Sequence, residues 1–178
     1  VVDDEVHGAE LWTSDGTEAG TRMVTDLTPG AASSFDSYSS FADVGGTLYF
    51  SCGATPGCGL RKSDGTEAGT APVATLESVS SLVNLSGTLL FTARDSAHGS
   101  ELWKSDGTPA GTVLVKDVLP GATSSYPTGL VAMGGALYFT TYSDGSIWRS
   151  DGTEAGTVPL GPLPCSTPLV PSGGRLFF

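Results

Sequence analysis

Long apolar segments and basic residues are both scarce in this sequence. Its apolar runs extend over only a few residues, whereas a helix needs about 20 to cross a bilayer, so we expect no membrane insertion. The chain carries 8 Lys and Arg against 19 Asp and Glu, for a net charge of −11. Because nucleic-acid binding depends on cationic side chains that meet the phosphates, we expect no nucleic-acid partner.

Motifs of common catalytic sites are missing as well. The sequence contains no GxSxG elbow, no HExxH and no Walker-type phosphate loop. Each of those motifs carries a defined chemistry, namely acyl transfer, zinc hydrolysis or phosphate binding. We therefore expect that the protein is not an enzyme.

Cysteine is also rare, with three in 178 residues. Cys52 and Cys58 flank a short turn, where facing hairpin positions can bring β-carbons within disulfide range, so we predict that they are bonded. Such a bond favours an oxidising location outside the cytoplasm. Three alternatives remain for Cys165: a free thiol, a partner of one of the other two, or the mate of a cysteine beyond this sequence.

What the sequence has in abundance is an internal repeat. The string SDGT begins at Ser14, Ser63, Ser105 and Ser150, and each copy continues with two residues and then Gly-Thr. The copies follow one another at intervals of about 45 residues, a period typical of solenoids, propellers and arrays. The chain also holds 25 Gly and 11 Pro, which suits a single domain that turns every few residues.

Each copy predicts four short antiparallel strands. An apolar step such as ELW precedes SDGT, and an alternating run such as TVLVKD follows the loop, which is a strand pattern. Two further apolar runs joined by Gly-Gly or Ser-Gly, as in FADVGGTLYF from Phe41, predict a tight hairpin. A four-stranded meander of this length is typical of a propeller blade.

We therefore predict an all-β fold, a four-bladed β-propeller in one domain of residues 1–178. Three blades of four antiparallel strands are expected near 38–76, 79–119 and 127–162. The fourth blade is split between 169–178 and 9–27, so that strands from both termini close the ring. A fragment of a larger repeat array would begin and end in phase in the same way, and it is the alternative.

The aspartate of each SDGT is interpreted as a turn residue. An Asp before Gly accepts hydrogen bonds from nearby backbone N–H groups, and Gly tolerates a positive φ. Turn chemistry must recur in every blade, whereas a catalytic site need not. Contact with a metal or ligand is the less favoured alternative for Asp15, Asp64, Asp106 and Asp151.

Tryptophan occupies one column of the repeat, at Trp12, Trp103 and Trp148, with Arg61 in the second copy. We expect these aromatic side chains to pack between neighbouring blades. The alternative is that an exposed indole face stacks on a sugar ring. Trp12 and Trp103 are therefore kept as candidate ligand-binding residues.

Two of the four copies share a polar pattern that the others lack, HGxELW followed by a VxDxxPGAxSS-like stretch. Because two blades do without these residues, they are candidates for ligand binding, although His-Gly as a local turn and Glu as a solvated strand residue would also explain them. The candidates are His7, Glu10, Asp26, His98, Glu101 and Asp117. No cofactor is firmly predicted. Two His and two Glu side chains that face one another across a channel could bind a divalent cation such as calcium, so this cofactor is kept as an alternative.

ELWTSDGTEAGT from Glu10 and ELWKSDGTPAGT from Glu101 resemble the ELWxxDGT repeat, a tandem sequence family of large secreted or surface-attached bacterial proteins. The resemblance covers essentially the whole chain, although ELW reads GLR in the second copy and SIW in the fourth. It implies a propeller-like repeat architecture and an extracellular bacterial setting. It transfers no catalytic residues.

Together these observations predict a non-catalytic binding or scaffold module that is extracellular or at the cell surface. We expect adhesion or recognition at a bacterial surface or matrix, with a carbohydrate or protein ligand on the rim loops. A structural repeat spacer that binds nothing specific is the alternative. A propeller hydrolase ranks third, because it would need an arginine cluster and the arginines stand at different phases of the repeat.

Overall fold

The computed structural model describes residues 2–53, 57–162 and 168–178. Its regular structure consists of β-strands, so the fold is all-β, as the alternating sequence pattern predicts. In the part of the chain that is described, no helix is long and apolar enough to cross a membrane. Cys165 lies outside the described residues, and its three alternatives stay open.

The strands form five antiparallel groups in chain order. The first sheet contains β1 (Val2–Asp3), β2 (Ala9–Thr13) and β3 (Arg22–Thr25). The second sheet contains β4 (Phe41–Val44), β5 (Thr47–Ser51), β6 (Leu60–Ser63) and β7 (Ala71–Ala74). The third sheet contains β8 (Glu77–Leu85), β9 (Thr88–Asp95), β10 (Gly99–Ser105) and β11 (Val113–Lys116).

The fourth sheet contains β12 (Pro127–Met133), β13 (Ala136–Thr141), β14 (Ser146–Ser150) and β15 (Val158–Pro162). A terminal hairpin follows, made of β16 (Val170–Ser172) and β17 (Arg175–Phe177). Each four-stranded sheet is a simple meander in which neighbours in sequence are neighbours in space. The predicted repeated four-stranded antiparallel sheets are therefore confirmed.

Glycine at the hairpins follows from the backbone that these turns require. Gly45 and Gly46, between β4 and β5, have φ of 62° and 82°. A two-residue turn with positive φ at both positions matches the right-handed twist of the flanking strands. In the third sheet Ser86 takes the first of these positions with φ of 53°, so a non-glycine residue adopts the same left-handed conformation.

The core lies between successive sheets. Leu11 and Phe50 meet between the first and second sheets, in a cluster that includes both bonded cysteines. Two larger clusters continue the series, one between the second and third sheets and one between the third and fourth. The first strands of the sheets, β4, β8 and β12, contact one another in turn, and β12 contacts β16. The sheets therefore stack in the order of the repeats.

Cys52 and Cys58 form the predicted disulfide, with their Cα atoms 5.7 Å apart. Both residues are buried, at 8% exposure each. The bond spans the loop between β5 and β6, where the other sheets have no cysteine.

Strand pairing that would close a ring is not found among the described residues. β1 pairs with β2 and β16 pairs with β17, but no pairing joins β17 to β2. Phe177 and Phe178 at this end are 53% and 61% exposed. Closure by terminal strands therefore stays a prediction.

Candidate functional site

The four SDGT loops share one hydrogen-bond network that uses each Asp as a turn residue. In the third sheet, Asp106 Oδ1 accepts from the N–H and the hydroxyl of Thr108, at 2.9 and 2.7 Å. The Thr108 hydroxyl oxygen accepts in turn from the N–H of Gly111 at 3.0 Å. These bonds from Thr108 lower the pKa of Asp106. The same three bonds recur at Asp15, Asp64 and Asp151.

The glycine of Ala-Gly-Thr is required by the same network. A β-carbon at Gly111 would overlap the Asp106 carboxylate, which lies directly over the backbone. The three equivalent glycines face the same obstacle. The repeat signature therefore encodes one compact loop in which the carboxylate is already bound.

The two glutamates of the candidate set are fully buried, each at 0% exposure. Glu101 accepts from the N–H of Ser125 at 2.8 Å, from the Ser125 hydroxyl at 2.5 Å and from the N–H of Val118 at 3.3 Å. Burial raises the pKa of Glu101, against the lowering effect of these hydrogen bonds. The carboxylate therefore fixes the segment after β11 onto the sheet and is not open to a ligand.

Glu10 does the same in the first sheet. Its carboxylate accepts from the Ser34 hydroxyl at 2.5 Å and from the N–H of Leu27 at 3.0 Å. The second serine of the VxDxxPGAxSS stretch is thus a hydrogen-bond partner of the glutamate in ELW. This coupling explains why the two motifs occur together in the same two copies.

The two histidines form local pairs with aspartates that the sequence analysis did not select. His98 Nδ1 lies 2.9 Å from Asp95 Oδ2, and His7 Nδ1 lies 2.7 Å from Asp4 Oδ2. The hydrogen bond to Asp95 raises the pKa of His98, and the bond to Asp4 raises that of His7. The pKa of Asp4 falls to about 2, chiefly through its side-chain bond with His7.

In the third sheet, His98, Glu101 and Asp117 lie close enough for their charges to interact. Asp117 Oδ2 accepts from the N–H of Gly121 at 3.0 Å, whereas Asp117 Oδ1 is buried without a hydrogen bond in the described residues. His7, Glu10 and Asp26 repeat this local set in the first sheet. Within the described ranges, no three His, Cys, Asp or Glu side chains are placed to hold a metal ion.

Tryptophan burial agrees with the packing interpretation. Trp103 and Trp148 are each 8% exposed and belong to the clusters between sheets. The Trp148 ring stacks on Phe139 with centroids 6.2 Å apart. Trp12, in the first sheet, is half-buried. Burial leaves Trp103 and Trp148 little indole surface for a sugar, whereas Trp12 stays a candidate ligand-binding residue.

Sequence reasoning missed three exposed tyrosines: Tyr38, Tyr126 and Tyr142, with exposures of 80%, 53% and 79%. Tyr126 and Tyr142 line a cleft of about 380 Å³ between the third and fourth sheets, here called the tyrosine cleft. Its other lining residues include Ser80, Arg94, Ser100 and Thr128. The signal available in the sequence was an aromatic residue directly after the Ser-Ser pair, at Tyr126.

A second cavity, of about 600 Å³, adjoins the tyrosine cleft and contains Tyr38, the disulfide and Glu77. The two cavities share Ser78 and Ser80 in their linings. All three exposed tyrosines therefore lie on one continuous, hydroxyl-rich surface.

A scan against protein-family models found no match to this chain, and a search of curated proteins found none either. The resemblance to the ELWxxDGT repeat therefore rests on the residues of the repeat itself.

Proposed function

We propose that the chain is a non-catalytic binding module, built as a four-bladed propeller, that recognises a carbohydrate or a protein. The observation that carries this proposal is the surface formed by the two adjoining cavities with Tyr38, Tyr126 and Tyr142. Single exposed apolar residues are ordinary, but aromatic rings beside convergent hydroxyl groups are typical of ligand sites. A spacer has no need of such a surface.

The proposed setting is outside the cytoplasm, at a bacterial surface or in a matrix. The Cys52–Cys58 disulfide favours an oxidising compartment. The ELWxxDGT resemblance supports the bacterial surface specifically.

Ring closure is part of the proposal, and the register of the first sheet supports it. Val2 lies opposite Glu10, as Ala93 at the end of β9 lies opposite Glu101. β1 therefore takes the place of the end of a second strand in a blade. The beginning of that strand is missing from the first sheet.

The terminal hairpin supplies a matching beginning. Val170 lies opposite Phe177 in the hairpin, as Val83 lies opposite Leu90 in the third sheet. Leu90 is fully buried, whereas Phe177 is 53% exposed. Pairing β17 with β2 would complete one four-stranded blade and would cover this apolar surface, which favours the paired state.

Burial of the SDGT loops supports the same conclusion. Ser63, Ser105 and Ser150 are nearly or fully buried, at 1%, 2% and 0% exposure, because the preceding sheet covers each loop. Ser14 alone is exposed. In a closed ring the fourth sheet would cover the loop that contains Ser14.

A structural spacer is the second candidate. The buried tryptophans and the internally satisfied SDGT loops favour it, since both features serve stability alone.

A broad glycan array, run beside a panel of extracellular proteins, tests the choice between the two. The binding module predicts selective binding that falls when Tyr38, Tyr126 and Tyr142 are replaced together by Ala. Val113→Ala, at an apolar residue 39% exposed, is the matched surface control and should bind as wild type. Parallel arms with a chelator and with calcium would show whether an ion bridges the ligand. An absence of binding in every arm would favour the spacer.

A further inference from the structure

The tyrosine cleft of this acidic chain is lined by a cation and by hydroxyl groups. It holds Arg94 and several hydroxyl groups, and no carboxylate lines it. Arg94 is exposed and makes no ion pair or side-chain hydrogen bond with the described part of the chain. A free guanidinium in a protein of net charge −11 is available to an anionic group of a ligand.

Carboxylates near Arg94 are held elsewhere. Asp95, the next residue, is bonded to His98. Asp144, in the loop beside Tyr142, accepts hydrogen bonds from Thr141 and Ser146. Glu77 lies opposite Arg94 in the β8–β9 pairing but lines the neighbouring cavity.

The hydroxyl groups of the cleft are also available. Ser100 is 7% exposed and lines the cleft, yet its hydroxyl has no hydrogen-bond partner in the described residues. Ser80 and Thr128 likewise present hydroxyls without partners in those ranges. By contrast, the Thr92 hydroxyl donates to the carbonyl of Pro127 at 3.1 Å. The cleft therefore combines one cation with several unpaired hydroxyls.

The main chain of both tyrosines is held in place by hydrogen bonds. The N–H of Tyr142 donates to the carbonyl of Tyr126 at 3.2 Å, and the N–H of Tyr126 donates to the carbonyl of Ser100 at 3.2 Å. The buried Glu101 anchors Ser125, directly before Tyr126. A tyrosine side chain has only two χ angles, so it contributes a large contact area with little loss of conformational entropy.

Backbone strain is concentrated at the same place. Tyr126 has φ of 52°, and Ser78 and Ser81 on β8 have φ of 50° and 54°. Such conformations are unfavourable at residues other than glycine, and they cluster at ligand sites. Three of the five non-glycine residues with positive φ in the described chain lie in or beside this cleft.

We propose that the tyrosine cleft binds a saccharide that contains a uronic acid, with its carboxylate on Arg94 and a pyranose face on Tyr126 or Tyr142. A pyranose ring offers an apolar C–H face to an aromatic ring and hydroxyls to Ser and Thr, and a uronate adds the anionic group that Arg94 matches. The net negative charge does not prevent this contact, because repulsion between exposed charges is screened beyond about 8 Å at physiological ionic strength. This assignment rests on the proposed binding function and names its ligand class.

Isothermal titration of the full chain with oligomers of galacturonate, glucuronate, mannuronate and guluronate, each beside its neutral counterpart, tests the proposal. We expect at least one uronate oligomer to bind about ten-fold or more tightly than its neutral counterpart, because one charge-assisted hydrogen bond contributes that much. Arg94→Gln should remove this preference, and Tyr142→Ala should weaken both ligands. Val113→Ala, at an exposed apolar residue of the third sheet that lines neither cavity, should leave both affinities unchanged. Thermal melts of all three variants show that they fold.

Equal affinity for charged and neutral oligomers, no binding of any uronate, or an Arg94→Gln variant that keeps the preference would overturn the proposal. Failure of the cleft assignment can be distinguished from failure of the broader binding function. If the glycan array or the protein panel finds a ligand that Arg94→Gln and Tyr142→Ala still bind as wild type, the module binds elsewhere and only the cleft assignment is lost. If nothing on the array, the panel or the uronate series binds, both proposals fail.

Discussion

Lys104 Nζ donates a hydrogen bond to the carbonyl oxygen of Gly152 across 2.9 Å, and it thereby ties the third sheet to the SDGT loop of the fourth. Lys62 makes the same bond to Gly107, also at 2.9 Å, between the second and third sheets. In the repeat, Arg149 takes this place on the fourth sheet. In a closed ring the carbonyl of Gly16 would be its partner.

Replacing these cations tests whether the relationship extends around the ring. Lys104→Ala should lower the free energy of unfolding by about 1 kcal/mol, because a half-buried hydrogen bond from a charged donor is lost. Closure predicts a similar loss for Arg149→Ala. Lys116→Ala, at a 3.4 Å exposed bond, is the control and should change stability by less than about 0.5 kcal/mol. Urea titration measures all three, and a neutral Arg149→Ala beside a destabilising Lys104→Ala would count against closure.

Because Asp106 lies so close to Gly111, we expect the effects of substituting the two residues on the free energy of unfolding to be strongly non-additive. Gly111→Ala should destabilise the protein by about 2–3 kcal/mol, because its β-carbon would displace the carboxylate. Asp106→Ala should also destabilise the protein, through the lost bonds to Thr108. In the double variant the overlap is gone, so its cost should be well below the sum. A double-mutant cycle from thermal melts checks this, and simple additivity would show that the two groups do not interact.

Removal of the buried Glu101 should be more costly than removal of an exposed glutamate. Glu101→Ala leaves the N–H groups of Ser125 and Val118 without their acceptor, and we expect a loss of about 3 kcal/mol. Glu67→Ala, at an exposed residue of an SDGT loop, should lie within about 0.5 kcal/mol of wild type. Equal stability of the two variants would mean that the carboxylate does not anchor the segment after β11.

The His98–Asp95 and His7–Asp4 pairs predict a window of pH for part of the stability. The folded-state pKa of each His is raised, so this contribution is complete below about pH 6.5 and is lost as the pH rises through the folded value. The folded-state pKa of each Asp is lowered, so the contribution is also lost in acid, near pH 2 for Asp4. The melting temperature of a His7→Gln, His98→Gln double variant should fall less than that of wild type between pH 6 and 8. If the melting temperatures of wild type and the double variant changed in parallel with pH, the two pairs would be excluded as the source of the pH-dependent stability.

Local elements of the fold could be predicted because their signals are local. Gly45 and Gly46 specify a hairpin turn by conformation alone, and the SDGT loop forms its bonds within eight residues of sequence. The burial of Glu101 could not be predicted from residue type, since an unpaired Glu belongs on the surface. Its burial depends on Ser125, 24 residues further along the chain.

The candidate binding surface was harder to predict from the sequence than the local turns. Phe35 and Tyr126 follow the Ser-Ser pair at the same place in the repeat. Phe35 is 4% exposed because it packs on Phe41 and Phe50, with centroids 5.4 and 5.6 Å away, whereas Tyr126 is 53% exposed. The fourth sheet has Leu130 in place of Phe41. Which copy exposes its aromatic residue is therefore decided by packing between sheets, which repeat alignment alone does not reveal.

Closure of four repeats into one ring is the central structural claim, and an engineered crosslink tests it most directly. Lys104 pairs with Leu90 in the third sheet, so closure places Thr13 opposite Phe177. Thr13→Cys with Phe177→Cys, in a Cys165→Ser background, should form a disulfide within one chain under mild oxidation, as seen by mass spectrometry of the monomer. Thr13→Cys with Arg175→Cys, two residues out of register, should form little. Failure of the first pair to bond, or bonds only between two chains, would contradict the closed ring.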